Sequence, residues 1–144
     1  MVEKERKKVD VEEELKRKII ELEFSKAQVG EIEKQLVNLQ LRKEELENVR
    51  KSLKELKGRK GKEMLFSFYP GVFVRGNLQD DENILVEVGA NVVIKKSLED
   101  TEKFFEEKIG EIDRLIAKLN AEYQILIEKI RKLEPEILEL AKKG

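Results

Sequence analysis

The 144-residue chain contains no cysteine, no histidine and no tryptophan, and only two prolines and two methionines. Without cysteine there is neither a disulfide nor a thiolate nucleophile. Without histidine the chain lacks the imidazole that moves protons near neutral pH and the usual nitrogen ligand of zinc. Its four serines have no histidine to activate them. Carboxylate pairs such as Glu106-Glu107 and Asp80-Asp81 are common in so acidic a sequence, and a thin helical chain supplies no pocket to desolvate one for acid catalysis. We therefore expect no catalytic residue, no metal site and no cofactor, and not an enzyme. An excess of one charge is missing too: thirty basic and thirty-one acidic residues leave a net charge of −1. No overall field recruits nucleic acid or an anionic membrane. No run approaches the ~20 apolar residues of a membrane span. The opening "MVEKERKKVD" has no apolar core for a secretory signal, so the expected location is cytoplasmic, with no membrane partner.

What is present is charge and aliphatic residues, 42% and 40% of the chain. Lysine and glutamate alternating with leucine and isoleucine is the profile of long helices and coiled coils. Abundant Lys and Glu with few Cys and Met fits a thermophile. From Phe105 the apolar positions run Ile109, Ile112, Ile116, Leu119, Tyr123, Leu126, Ile130, Leu133, Ile137 and Leu140. The steps alternate four and three, the repeat of a coiled-coil seam. Ser97 with Asp100 three residues on marks the start of this helix. An earlier stripe of similar length runs from Leu15 to Leu56, with Asp10 and Glu13 as a possible cap and Gly58 as the left-handed stop. It keeps poorer time: Lys26 stands at one expected seam position, and a three-residue step from Val29 to Ile32, around Gly30, predicts an overwound turn. Two such helices in one chain fold back most simply as an antiparallel hairpin, each ~65–70 Å long at about 1.5 Å per residue. Leu15 then lies near Ile137.

Between the helices the period changes from 3.6 to 2. In "EMLFSFYPGVFVRGNL" and "NILVEVGANVVIKK" alternate residues share a face, so that Ile84, Val86 and Val88 oppose Leu85 and Glu87. Pro70-Gly71 fits the centre of a type II turn, and Gly89-Ala90-Asn91 suits a short loop needing positive φ. The prediction is four strands, 63–69, 72–78, 83–88 and 92–96, in two hairpins. Two hairpins alone cannot hide Phe66, Phe68, Phe73, Val74, Ile84, Val86, Val88, Val92 and Ile94, and such small sheets are marginal in water. Those nine residues are the candidate assembly interface, donating strands to a sheet or barrel shared with other chains.

The stretch "MLFSFYPGVFVRGNLQDDENILVEVGANVVIKKSLEDTEKFFEEKI" resembles the α class of prefoldin subunits, the archaeal α subunit and the eukaryotic prefoldin-5 type. The "FVRGNL" strand, the "ILVEVGANVVIKK" hairpin and the "SLEDTEKFFEEKI" helix entry follow the family's order. The resemblance implies an α+β fold in one domain: a long antiparallel two-helix coiled coil (1–57 and 97–143) with two β-hairpins (63–96) that build an intersubunit β-barrel. It further implies an ATP-independent holdase in a hexamer of two α-class and four β-class subunits, which passes unfolded client proteins to a group II chaperonin. Two hairpins rather than one mark the α class. "FSFYPG" is bulkier than the family's usual turn, which leaves open a paralogue with a different β partner. The alternative reading is a self-assembling coiled-coil scaffold or a filament-forming paralogue.

For the client surface, expected at the distal tips of the coiled coil, outward heptad positions hold Ile20, Phe24, Ile125 and Leu138, while Val11 and Ile127 flank the seam. The chain ends add Val9, Ile137 and Leu140, where a seam frays. Pro135 removes one helical hydrogen bond and is expected to loosen its turn, opening Leu133, Ile137 and Leu138; a helix end also tolerates proline. Scattered exposed apolar residues are equally ordinary on any surface. Phe104 and Leu115 are expected to pack beneath the sheet. "KGRKGK", Lys57 to Lys62, lacks the spacing of a phosphate loop and has no interleaved aromatics for bases. It is read as a flexible, solvated link, with no nucleic-acid partner.

Overall fold

The computed structural model describes residues 2–143, in the order α1 (Val2–Glu55), β1 (Glu63–Tyr69), β2 (Val72–Asn77), β3 (Asn83–Gly89), β4 (Val92–Ser97) and α2 (Leu98–Lys143). Strand bounds agree with the predicted ones to within a residue. The α1 start does not: Asp10 and Glu13 lie inside the helix. The residues ahead of them are mostly Glu, Lys and Arg, all good helix formers, so nothing halts the helix there.

The remaining caps follow the sequence. The amide of Asp100 donates to Ser97 Oγ at 3.0 Å, and Thr101 Oγ1 donates to the Ser97 carbonyl at 2.8 Å. At the other junction the amides of Leu56 and Lys57 reach back three residues, to the carbonyls of Leu53 and Lys54 at 3.2 and 3.4 Å. Gly58 then adopts φ +70°, which a residue with a Cβ rarely takes.

The chain falls into two compact units. One comprises α1 up to Gln40 with α2 from Arg114; the other is Leu41–Asp113. In the first unit the two helices run antiparallel. Lys18 pairs with Glu136, Glu21 with Lys129 at 3.0 Å and Lys26 with Glu134 at 3.7 Å, and the Tyr123 hydroxyl meets Glu33 at 3.4 Å. Ser25, Ile32 and Leu133 are buried between them. In the second unit the helical portions are again antiparallel, with Lys43 on Asp113 at 2.7 Å, Arg50 on Glu106 at 3.5 Å and Lys57 on Glu102 at 3.6 Å. Leu53, Leu98, Ile109 and Ile112 form its buried apolar centre.

Apart from Gly30 and Glu47, which flank the seam, the residues at least half-buried along α1 are Val11, Leu15, Lys18, Leu22, Ser25, Val29, Ile32, Leu36, Leu39, Lys43, Leu46, Arg50 and Leu53. Four and three alternate here without interruption. The expected overwound turn at Val29–Ile32 is therefore absent, and Lys26 is off the seam and exposed. The apolar stripe looked irregular because Lys18, Ser25, Lys43 and Arg50 hold seam positions. A stripe counted on apolar residues alone between Leu15 and Leu56 takes in Ile19 and Val49, which are more than a third exposed.

The hairpins are two separate two-stranded sheets. β1 pairs with β2 from Glu63↔Asn77 through Phe66↔Val74 to Tyr69↔Val72, and β3 with β4 from Asn83↔Ser97 through Val86↔Ile94 to Gly89↔Val92. Every pair of the second hairpin lies twenty residues after its counterpart in the first, and the irregularity between Ser67 and Tyr69 recurs between Glu87 and Gly89. The turns reach the same place by different chemistry. Gly71 supplies φ +83° after Pro70, whereas Ala90 and Asn91 take +48° and +62°.

The strands are tied to the helix ends by backbone bonds. Gly61 donates to the Leu78 carbonyl at 2.6 Å, Leu78 to that of Lys62 at 3.1 Å, and Leu98 to that of Glu82 at 2.7 Å. Between β2 and β3, Asp80 accepts from the amides of Glu82 and Asn83 at 2.8 and 3.2 Å and from Asn83 Nδ2 at 3.1 Å. Those donors, the Glu82 amide foremost, hold the Asp80 carboxyl below its ordinary pKa. Asp81 accepts from the Gly58 amide at 3.1 Å.

Candidate assembly and client surfaces

Each hairpin has one face built for cover. In an antiparallel ladder directly opposed residues share a face, so Met64, Phe66, Tyr69, Val72 and Val74 line one side of the first sheet. Ile84, Val86, Val92 and Ile94 line the corresponding side of the second. Phe66, Ile84 and Val86 are half-buried within the chain. Phe68, Phe73, Val74, Val88, Val92 and Ile94 are exposed, Phe68 to 81%. On the opposite faces Leu65 and Leu85 are exposed as well. Few single chains leave so much apolar surface open on two-stranded sheets.

The matched registers reveal a difference the strand prediction missed. Phe66, Phe68, Tyr69 and Phe73 stand where the second hairpin has Val86, Val88, Gly89 and Val93. The first hairpin thus presents aromatic rings, the second aliphatic and small groups, on one backbone plan. Gly76 belongs to this pattern: a Cβ there would sit 3.0 Å from Cε2 of Phe66, so the ring lies over the space the glycine leaves. The signal was in the sequence, as two strand-turn-strand segments offset by twenty residues, but their low identity hides it.

On the helices, Val9, Ile20, Phe24, Ile125 and Leu138 are exposed. Val11, Ile127, Ile137 and Leu140 are half-buried, shared between seam and solvent. Leu133 is a correction. It is 5% exposed, and α2 runs through Pro135 uninterrupted, so the anticipated opening is not present and Leu133 is a seam residue. The ring of Pro135 instead sits on the rim of an open groove with Glu14, Lys18, Glu136, Glu139 and Leu140. Phe24 lies about one turn along α1 from Glu21, and Ile125 about one turn along α2 from Lys129, which pairs with Glu21. Leu115 is half-exposed and belongs to the unit without strands, not to the strand-bearing unit where it was expected. Phe104 does lie against β4: the Lys96 ammonium stands 4.6 Å from its ring centre, and Phe105 meets it edge-on.

Among the described residues no cluster of acidic side chains is arranged to hold a metal ion, and no helix is long and apolar enough to cross a membrane. The family model for prefoldin subunits matches residues 25–143. The chain belongs to the prefoldin subunit family. It is 30% identical over 77 residues to prefoldin subunit alpha of Thermofilum pendens, a stretch covering 54% of this chain and 60% of that protein. Over 68 residues it is 32% identical to human prefoldin subunit 5, covering 47% and 44% of the two chains, and the mouse protein matches equally. The matched stretches thus span less than two thirds of these prefoldin relatives. With two hairpins between its helices and relatives of this type, the chain is an α-class prefoldin subunit. A solved chain of filamentous PFD from Methanocaldococcus jannaschii aligns over 92% of this chain and 99% of its own length at 20% identity, with a TM-score of 0.42.

Proposed function

We propose that this chain is the α-class subunit of an ATP-independent holdase. Its hairpins enter a β-barrel shared with prefoldin β-class subunits, two α with four β. Its helices hold unfolded clients before transfer to a group II chaperonin. The reading rests on one observation above others: apolar side chains are exposed in two classes of place. On the hairpins they are dense and ordered on strand faces, as a permanent partner requires. On the helices Ile20, Phe24, Ile125 and Leu138 stand singly among charges, which favours weak, reversible contacts. Several subunits presenting such points around one space raise the effective concentration of each, so a client can be held without a strong individual site. No nucleotide or metal enters this scheme.

The twenty-residue repeat favours a second reading, a homomeric scaffold or filament. One chain carries two pairing modules of the same register, and head-to-tail use of such modules generates rings or open polymers. Light scattering of the purified chain, alone and with a β-class subunit, separates the two. A defined hexamer formed only in the mixture supports the holdase; large assemblies of the single chain support the scaffold. Client holding has its own measurement, suppression of aggregation of a denatured protein. Removing residues 1–20 and 130–144 is expected to abolish suppression while the hexamer persists. Full suppression by the shortened chain would place the client site elsewhere.

A further inference from the structure

Residues 50–62 hold seven cations against the one carboxylate of Glu55, in a chain of net charge −1. Arg50 and Lys57 are used internally, facing Glu106 and Glu102. Lys51, Lys54, Arg59, Lys60 and Lys62 are exposed and, among the described residues, have no carboxylate within 4.0 Å. The loop that bears the last three is fixed rather than the flexible link expected from its composition. The Arg59 amide donates to the Leu56 carbonyl at 3.2 Å and the Lys62 amide to that of Arg59 at 3.0 Å, while Gly61 and Lys62 exchange bonds with Leu78. Gly61, at φ +79°, makes the bend between them. On the adjoining helix Lys51 and Lys54 stand one turn apart and line an open groove with Glu47 and Arg50. Like charges held together on a rigid frame repel one another, a strain that a mobile tail would relax; the same rigidity lowers the entropy lost when an anion binds.

We propose that this basic shelf binds a carboxylate-rich polypeptide segment. Glu47 and Glu55 interrupt the array, which suits separate carboxylate side chains that can leave those two places empty and opposes a continuous phosphate backbone. No aromatic ring lies within residues 50–62 to stack on a base. The shelf shares no residue with the exposed strand faces or the outward helix positions, so it stands whether or not the holdase reading does.

The probe is a fluorescently labelled decameric oligoglutamate, titrated with the full chain and followed by anisotropy, with a thymidine decanucleotide in parallel. Binding of the oligoglutamate at low salt, weakening at physiological salt, is expected because exposed charges are screened over about 8 Å there. Lys51→Gln, Lys54→Gln, Lys60→Gln and Lys62→Gln together are expected to weaken it about tenfold or more, while Lys4→Gln, Lys7→Gln and Lys8→Gln together leave it unchanged. The loop pair Lys60→Gln and Lys62→Gln, which leaves α1 intact, gives an intermediate loss. No binding, equal binding by the quadruple variant, or decanucleotide binding as tight as oligoglutamate binding overturns the proposal.

Discussion

Ser25 is fully buried, and its hydroxyl has no hydrogen-bond partner among the described residues. A hydroxyl removed from water without compensation costs about 1–3 kcal/mol. Ser25→Ala is therefore expected to raise the unfolding free energy by about 1 kcal/mol, read from the urea midpoint at constant slope. A lower midpoint would show that the hydroxyl is satisfied. Asp80 makes the opposite kind of contribution. Because its three donors depress its pKa in the folded chain, its stabilisation is present above the ordinary carboxylate range and is lost as pH falls through the depressed value. Asp80→Ala should be less stable than the parent at neutral pH, and the difference should shrink below about pH 4. A gap that persists unchanged into acid would mean the carboxylate charge is not what orders the turn.

The two helices differ in how they fill their seams. α2 uses apolar residues and Tyr123 throughout from Phe105 to Leu140, whereas α1 places Lys18, Lys43 and Arg50 there, each reaching a carboxylate of α2. The hydrogen bond from Lys43 to Asp113 keeps that ammonium protonated beyond its ordinary range, and Glu136 does the same for Lys18. Polar seam residues specify register at some loss of stability. Asp113→Lys is expected to lower the urea midpoint, with Lys43→Asp on the same chain recovering most of the loss in a double-mutant cycle. Additive losses would show that the pair sets nothing. These substitutions also explain what could be read beforehand. α2 was legible because every seam position is hydrophobic, and Ser97 announces its start. The strands were legible through Pro70-Gly71 and Gly89-Ala90-Asn91, whose turn chemistry admits few alternatives. α1 was misread where lysine, arginine and serine take core positions, since hydropathy cannot register a cation whose stem packs inward and whose tip finds a partner. The burial of Leu133 was missed because Pro135 breaks helices in general, while near this helix end the turn accommodates it.

At the level of the whole molecule, folding and association are expected to be separable. Val86 and Ile94 oppose each other across the second hairpin and remain partly exposed in the single chain. Ile94→Asp should therefore leave the helical circular dichroism nearly unchanged while preventing the proposed mixed hexamer, in which the aspartate would be carried into an apolar interior. Loss of the helical signal together with the hexamer would instead make Ile94 part of the chain's own folding core.

The two tyrosines are divided between these roles. Tyr69 closes the first hairpin and is 68% exposed, whereas Tyr123 lies in the helix seam with its hydroxyl on Glu33. With no indole to swamp them, their ultraviolet emission is a built-in pair of gauges. A chain keeping only Tyr69 would glow in step with the covering of the first hairpin, and one keeping only Tyr123 would report the parting of the helices, with no dye attached to either.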